Sequence, residues 1–260
     1  MINRELLKSL KEQFVQYTNQ FTSKDIFVQQ HFKVKQLHTF KVCENIVELG
    51  KKTGLNEEDL LIAEISALFH DIGRFQQYQD YMTFSDFESS VNHSEIGIKV
   101  INSEGFFKDL LPETRNLIFN IILNHNIAEL QFNTDERLSI LSKLLRDADK
   151  IDIFRVVMEY DKQEKELKVE EENSYFIPDE ILFSFTKRKI VDIKSAQSKF
   201  DYFLLRISWI FDINFPQTFH LLDQKGYIKY MLERIPKSYR LINIQNIVRE
   251  YMVEKIFSYA

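Results

Sequence analysis

Four of the six histidines in this chain, with two aspartates, recur at intervals of about one helix plus one turn. They are His38, the adjacent pair His70-Asp71, His93, His125 and Asp149. Imidazole nitrogen and carboxylate oxygen together suit divalent transition metals, and a helical bundle can bring such side chains to one central point. The adjacent pair is the most informative part. Neighbours on a regular helix point about 100° apart, so His70 and Asp71 can serve one centre only where the helix is ending, and Gly73 supplies that end. The single cysteine, Cys43, cannot build a thiolate cluster, which argues against a structural zinc site. His31 and His220 are read as hydrogen-bonded surface or core residues.

Positioning six such donors requires helices. With 6 Gly and 4 Pro in 260 residues there is little punctuation for hairpins, while apolar residues recur at three- and four-residue spacing. The chain is therefore expected to be all-α. A first helix is expected from about Asn3 to Tyr17. A second runs from Phe32 to Leu49, with Lys51, Lys52 and Gly54 as stop signals. Asn56 and Asp59 resemble a capping box opening a helix that ends at His70, Asp71 and Gly73. An irregular stretch follows, then a helix from Val91 to Ile101 and one from Pro112 to His125. Thr134 is a candidate cap for a helix reaching about Tyr160.

The charged run DKQEKELKVEEENS, residues 161–174, reads as a solvated helix end and loop and marks a seam. It divides the chain into residues 1–160, a helical core carrying the metal-binding residues, and residues 161–260, a C-terminal helical extension. Helices are expected there over Ala196–Phe211, Tyr227–Ile235 and Ile242–Phe257. The Lys187, Arg188, Lys189 cluster reads as a solvated face.

Composition excludes several function classes. A formal net charge of −5 argues against non-specific binding of a nucleic-acid polymer, which needs a basic surface. The most apolar stretch, Leu60–Phe69, falls well short of the roughly 18 residues a membrane span requires. The first residues lack the apolar core of a signal peptide, and a lone cysteine fits a reducing compartment, so a cytoplasmic location is expected.

His38, then ALFHDIG with His70 and Asp71, then Asp149 in DADKID, resemble the motif of the HD-domain superfamily of metal-dependent phosphohydrolases. His93 in NHSEIG and His125 in LNHN are similar to its two-metal branch, and YMTFSDFESSVNHSEIG resembles a bacterial subgroup of it. The resemblance covers about residues 32–160 and implies an HD-domain helical bundle. It implies that His38, His70, Asp71 and Asp149 hold one divalent ion, and Asp71, His93 and His125 a second, with Asp71 bridging. Mn, Fe, Co, Ni, Zn and Mg are all candidates. Three acids, Asp147, Asp149 and Asp152, lie close together at the last ligand position, and Asp147 and Asp149 lie about 200° apart on a helix and cannot both face the site. Apolar patterning does not choose between them; the family pattern, an acid followed by Lys or Arg, favours Asp149, and Asp147 is otherwise read as a solvated or capping acid.

The implied activity is hydrolysis of a phosphomonoester or nucleotide by hydroxide generated at the metals, with no protein nucleophile. Asp71 is its central catalytic residue. Arg74 and Lys150 are candidates to reach the substrate phosphate, the alternative for each being an exposed salt bridge. Phe75, Tyr78, Tyr81, Phe84 and Phe87, every third residue, read as core packing or as a wall against a base. The partner is a small phosphorylated molecule. The same ordered ligands also occur in di-iron oxygenases similar to myo-inositol oxygenase, and a non-catalytic HD signalling module is a third reading.

Overall fold

The computed structural model describes residues 2–127, 130, 135–163 and 177–257, and among them every regular element is helical. The candidate cap Thr134 and residues 164–174 of the charged run lie outside the described residues.

The chain divides into two compact units, Met1–Asp152 and Ile153–Ala260. The first begins with α1 (Arg4–Thr18), capped by the side chain of Asn3, and α2 (Ile26–Lys52), capped by Asp25. Helix α2 starts earlier than the apolar pattern suggests, because Ile26 and Phe27 are exposed and add nothing to a buried stripe. Next comes α3 (Glu57–Phe69), with Asn56 as its cap. Most of α3 is buried, Leu61, Ile65, Leu68 and Phe69 among its residues, and it packs against α1, α2 and α7. A helix apolar around most of its circumference belongs inside a bundle.

The stretch expected to be irregular contains two helices, α4 (Gly73–Tyr81) and the short α5 (Asp86–Ser89). Helix α6 (His93–Ser103) begins just after the cap Asn92, and α7 (Pro112–Asn124) carries Pro at its first turn. Helix α8 (Glu136–Gln163) runs from the first unit into the second. Its Leu141, Leu144, Leu145 and Ala148 are buried, and the Asn45 side chain of α2 donates to the Ala148 carbonyl at 3.2 Å.

The second unit continues with α9 (Asp179–Thr186), α10 (Lys199–Ser208), α11 (Pro216–Lys225), α12 (Tyr227–Glu233) and α13 (Tyr239–Phe257). Helix α10 has a full capping box from Ser198 and Asp201. Within this unit the buried Asp161 accepts from Tyr230 at 2.7 Å and pairs with Arg234 at 2.8 Å. Lys187, Arg188 and Lys189 are exposed.

Gly73 differs from its expected role. The helix before it ends at Phe69, and Gly73 is the first residue of the next one, where α4 crosses α6 at close range. A Cβ on Gly73 would sit 2.1 Å from the His93 carbonyl oxygen and 2.5 Å from the Gly97 nitrogen. Both are backbone atoms, so no side chain can yield. On Gly97 the nearest atom would be 3.4 Å away, an ordinary contact. Gly73→Ala is expected to cost about 1–3 kcal/mol or more by forcing the two helices apart. Gly97→Ala should be near neutral. Denaturant unfolding of the two variants checks this, and equal midpoints would contradict it.

Candidate metal centre

The six donors come from five places in the first unit. His38 lies midway along α2 on its buried side. His70 and Asp71 occupy the turn between α3 and α4, where the hydrogen bonds Ile72 N–H to Phe69 O and Arg74 N–H to Asp71 O are of the tight i to i+3 kind. His93 opens α6, His125 caps the end of α7, and Asp149 lies in α8. Arg146 fixes one of these joints. Its Nη1 donates to the carbonyls of Asn124, His125 and Ile127, a cation on carbonyls that the end of α7 leaves free.

Asp71 is the hub. Its Oδ2 lies 3.6 Å from His38 Nε2 and 3.6 Å from His70 Nε2. Its Oδ1 lies 3.3 Å from His93 Nε2 and 3.9 Å from His125 Nε2. Asp149 Oδ1 completes the first side at 3.1 Å from His38 Nε2 and 3.7 Å from His70 Nε2. Two trios with donor atoms mutually within 4.8 Å result: His38, His70 and Asp149, and His70, Asp71 and His125. His93 adjoins the second, its Nε2 3.0 Å from that of His125.

The second ring nitrogens show what this arrangement can hold. His38 Nδ1 is 2.7 Å from Asp152 Oδ2, His70 Nδ1 2.7 Å from the Ala67 carbonyl, His93 Nδ1 2.6 Å from Asp86 Oδ2, and His125 Nδ1 2.6 Å from the Ile122 carbonyl. Ionised carboxylates and carbonyls only accept hydrogen bonds, so each Nδ1 carries the hydrogen and each Nε2 of a neutral ring presents a lone pair inward. His38 Nε2 and His70 Nε2 are buried and have no hydrogen-bond partner. The Nε2 lone pairs of His93 and His125 face each other at 3.0 Å, a contact that needs a proton or a cation to be favourable. Four inward lone pairs with two carboxylates form a donor set that fits divalent metal, with carboxylate and carbonyl partners orienting the imidazoles from behind.

Electrostatics follow the same geometry. Burial opposes charge on Asp71, but Lys35, His70, His93 and Arg74 around it hold its carboxyl well below the usual range. Burial likewise opposes charge on Asp149, and His38 and His70 hold it low. Burial, then the neighbouring His93 and His70, depress His125 and keep its ring neutral, the form that binds metal. On His38, burial and Lys35 favour neutrality, and the carboxylates of Asp149 and Asp152 outweigh them and raise its pKa.

Other expected residues lie as follows. Arg74 is not an exposed salt bridge: its Nη1 donates to Gln77 at 2.8 Å, to Asp86 at 2.7 Å and to the Phe84 carbonyl, and its Nε is 3.4 Å from Asp71 Oδ1. Lys150 is buried, 8% exposed. Asp147 is not solvated. It is fully buried and engaged, because the side of α8 that carries it also faces protein. Of the five aromatics, Phe75 and Tyr78 are core, Tyr81 and Phe87 are exposed, and Phe84 stacks on Tyr78 at 4.5 Å.

Three further residues take part: Lys35 and Asp86, which had no role assigned from sequence, and Asp152, which stood only as a neighbour of the last ligand. Lys35, one turn before His38, brings Nζ to 2.7 Å from Asp71 Oδ2. Asp152, one turn after Asp149, holds His38. The helical neighbour rule that groups residues three apart would have found both. Asp86, the acid of YMTFSDFESS, holds His93 and gathers Arg74, Gln77 and Asn126. Burial opposes its ionisation, but His93 and Arg74 hold it far below the usual carboxylate range. Asp86→Asn, which weakens the hold on the His93 tautomer, is expected to reduce Co2+ affinity about 10- to 100-fold. Titration calorimetry measures this, and unchanged affinity would remove Asp86 from the centre.

Residues 37–153 match the family model of the HD domain. No curated protein and no solved structure matches the chain.

Proposed function

We propose that this chain, whose residues 37–153 form an HD domain, is a phosphohydrolase cleaving a phosphomonoester or nucleotide with two divalent ions. HD domains typically bind divalent metal, and the His/Asp clusters described above are compatible with it. The observation that carries the reading is Asp71, which presents one carboxylate oxygen to His38 and His70 and the other to His93 and His125. A carboxylate so placed would serve two ions at once.

In this reading His38, His70, Asp71 and Asp149 would hold the first ion, and Asp71, His93 and His125 the second. When bound, the ions lower the pKa of water towards neutrality and offset charge on the phosphoryl oxygens. The rest is done by the chain. The hydrogen bonds on each Nδ1 keep all four rings in the tautomer that binds metal, so no reorganisation is needed as the reaction proceeds. Asp71, held ionised among cations, stays a ligand rather than a proton acceptor. Arg74, clamped by Gln77 and Asp86, steadies Oδ1 of Asp71. Water oxygen joins phosphorus as the ester oxygen leaves, and the products are orthophosphate and an alcohol or nucleoside.

The test is a panel of phosphorylated metabolites and nucleotides supplied with Mn2+, Co2+, Ni2+ or Mg2+ in water enriched in 18O. Hydrolysis is read as orthophosphate carrying one solvent oxygen. Oxygen uptake by protein purified with its own iron, without phosphate release from any ester, would replace this reading by a di-iron oxygenase.

A further inference from the structure

Lys35 is a partly exposed cation at the centre, placed so that it can leave it. It stands one helical turn before His38 on the same face of α2, and its Nζ pairs with Asp71 Oδ2 at 2.7 Å. Its side chain is 20% exposed while that of Asp71 is 5%, so the lysine reaches inward from the mouth of the site. Beside Asp71, its ammonium has the ring of Phe84 at 5.3 Å. Arg74, the other cation on Asp71, is fixed by Gln77, Asp86 and the Phe84 carbonyl and has no such freedom.

The oxygen that Lys35 grips is the one facing His38 and His70, whose Nε2 atoms have no hydrogen-bond partner. A divalent ion held there and the ammonium would share one oxygen as like charges at short range. A flexible four-carbon stem lets Lys35 swing away, and an ammonium beside a metal centre is satisfied best by an anion on those metals. We propose that Lys35 is a substrate-phosphate ligand: it turns from Asp71 to grip a non-bridging phosphoryl oxygen of a substrate at the metals. This rests on the phosphohydrolase reading and names the residue that selects a phosphoryl dianion for it.

Two variants, Lys35→Met and Lys35→Arg, are titrated calorimetrically, first with Co2+ and then, metal-loaded, with orthophosphate. Lys35→Met should bind Co2+ at least as tightly as the unaltered protein, because a competitor for Asp71 is gone. It should bind orthophosphate about 10- to 100-fold more weakly, the loss of one charge-assisted hydrogen bond. Its KM should rise more than its kcat falls, and Lys35→Arg should recover part of the phosphate affinity. Weakened Co2+ binding by Lys35→Met would make Lys35 a support for Asp71 and overturn the proposal. Equal orthophosphate affinity in Lys35→Met and the unaltered protein would overturn it while leaving the phosphohydrolase reading intact. An unaltered, metal-loaded protein that binds no orthophosphate would overturn both.

Discussion

Asp71→Ala is expected to leave a folded protein that binds at most one ion and has lost turnover by well over 100-fold. Residues that merely orient ligands cost about 10- to 100-fold, and Asp71 stands closer to the reaction than these. Its carboxylate lies between the two histidine sets, within 3.3–3.9 Å of four inward nitrogens. His70 belongs to both donor trios, but it offers one inward nitrogen where Asp71 offers two oxygens. The fold should survive, because Arg74 keeps Asp86 and the partly exposed Lys35 can turn to solvent. Native mass spectrometry under metal saturation, with circular dichroism and turnover, checks the three parts of the expectation. A full metal complement in Asp71→Ala would contradict the bridging role.

The second large effect separates two acids two residues apart. Asp149 Oδ1 lies 3.1 Å from His38 Nε2, whereas Asp147 belongs to neither donor trio and is fully buried. Asp149→Ala should abolish turnover and weaken metal binding more than a supporting residue would, with little change in unfolding temperature. Asp147→Ala should do the reverse. It keeps its metal but loses stability, about 1–3 kcal/mol for removing an engaged, buried carboxylate from its partner. The burial of Asp147 changes what its substitution tests, since a solvated acid would have cost nothing. Metal analysis and thermal unfolding of both variants decide it. An inactive, metal-poor Asp147→Ala beside a normal Asp149→Ala would mean that the register is wrong by two residues.

The all-helical architecture was legible because long helices repeat their apolar spacing. Helix α3 and the start of α8 were readable from runs such as Leu61, Ile65, Leu68 and Leu141, Leu144, Leu145. Helix α4 was not, since only Gly73, Phe75, Gln77 and Tyr78 of its nine residues are buried and two of these are not apolar. The short helices α9 and α11 bury too few residues for a period to stand out. At the site, the donors expected at one point do converge, because they are chemically distinctive and fall at helix intervals. What stayed hidden was the layer behind them. Asp152 and Lys35 are common residue types whose meaning depends on which neighbour they meet across the bundle. The carbonyls of Ala67 and Ile122 have no sequence signature at all.

Metal-dependent phosphoester hydrolysis is tested by removing the metal and restoring it. Protein stripped with a chelator and freed of it is assayed for orthophosphate release before and after graded addition of Mn2+ or Co2+. The stripped protein should show no turnover, activity should return and saturate near two ions per chain, and circular dichroism should stay unchanged throughout. Undiminished hydrolysis by protein shown to be free of metal would contradict metal dependence.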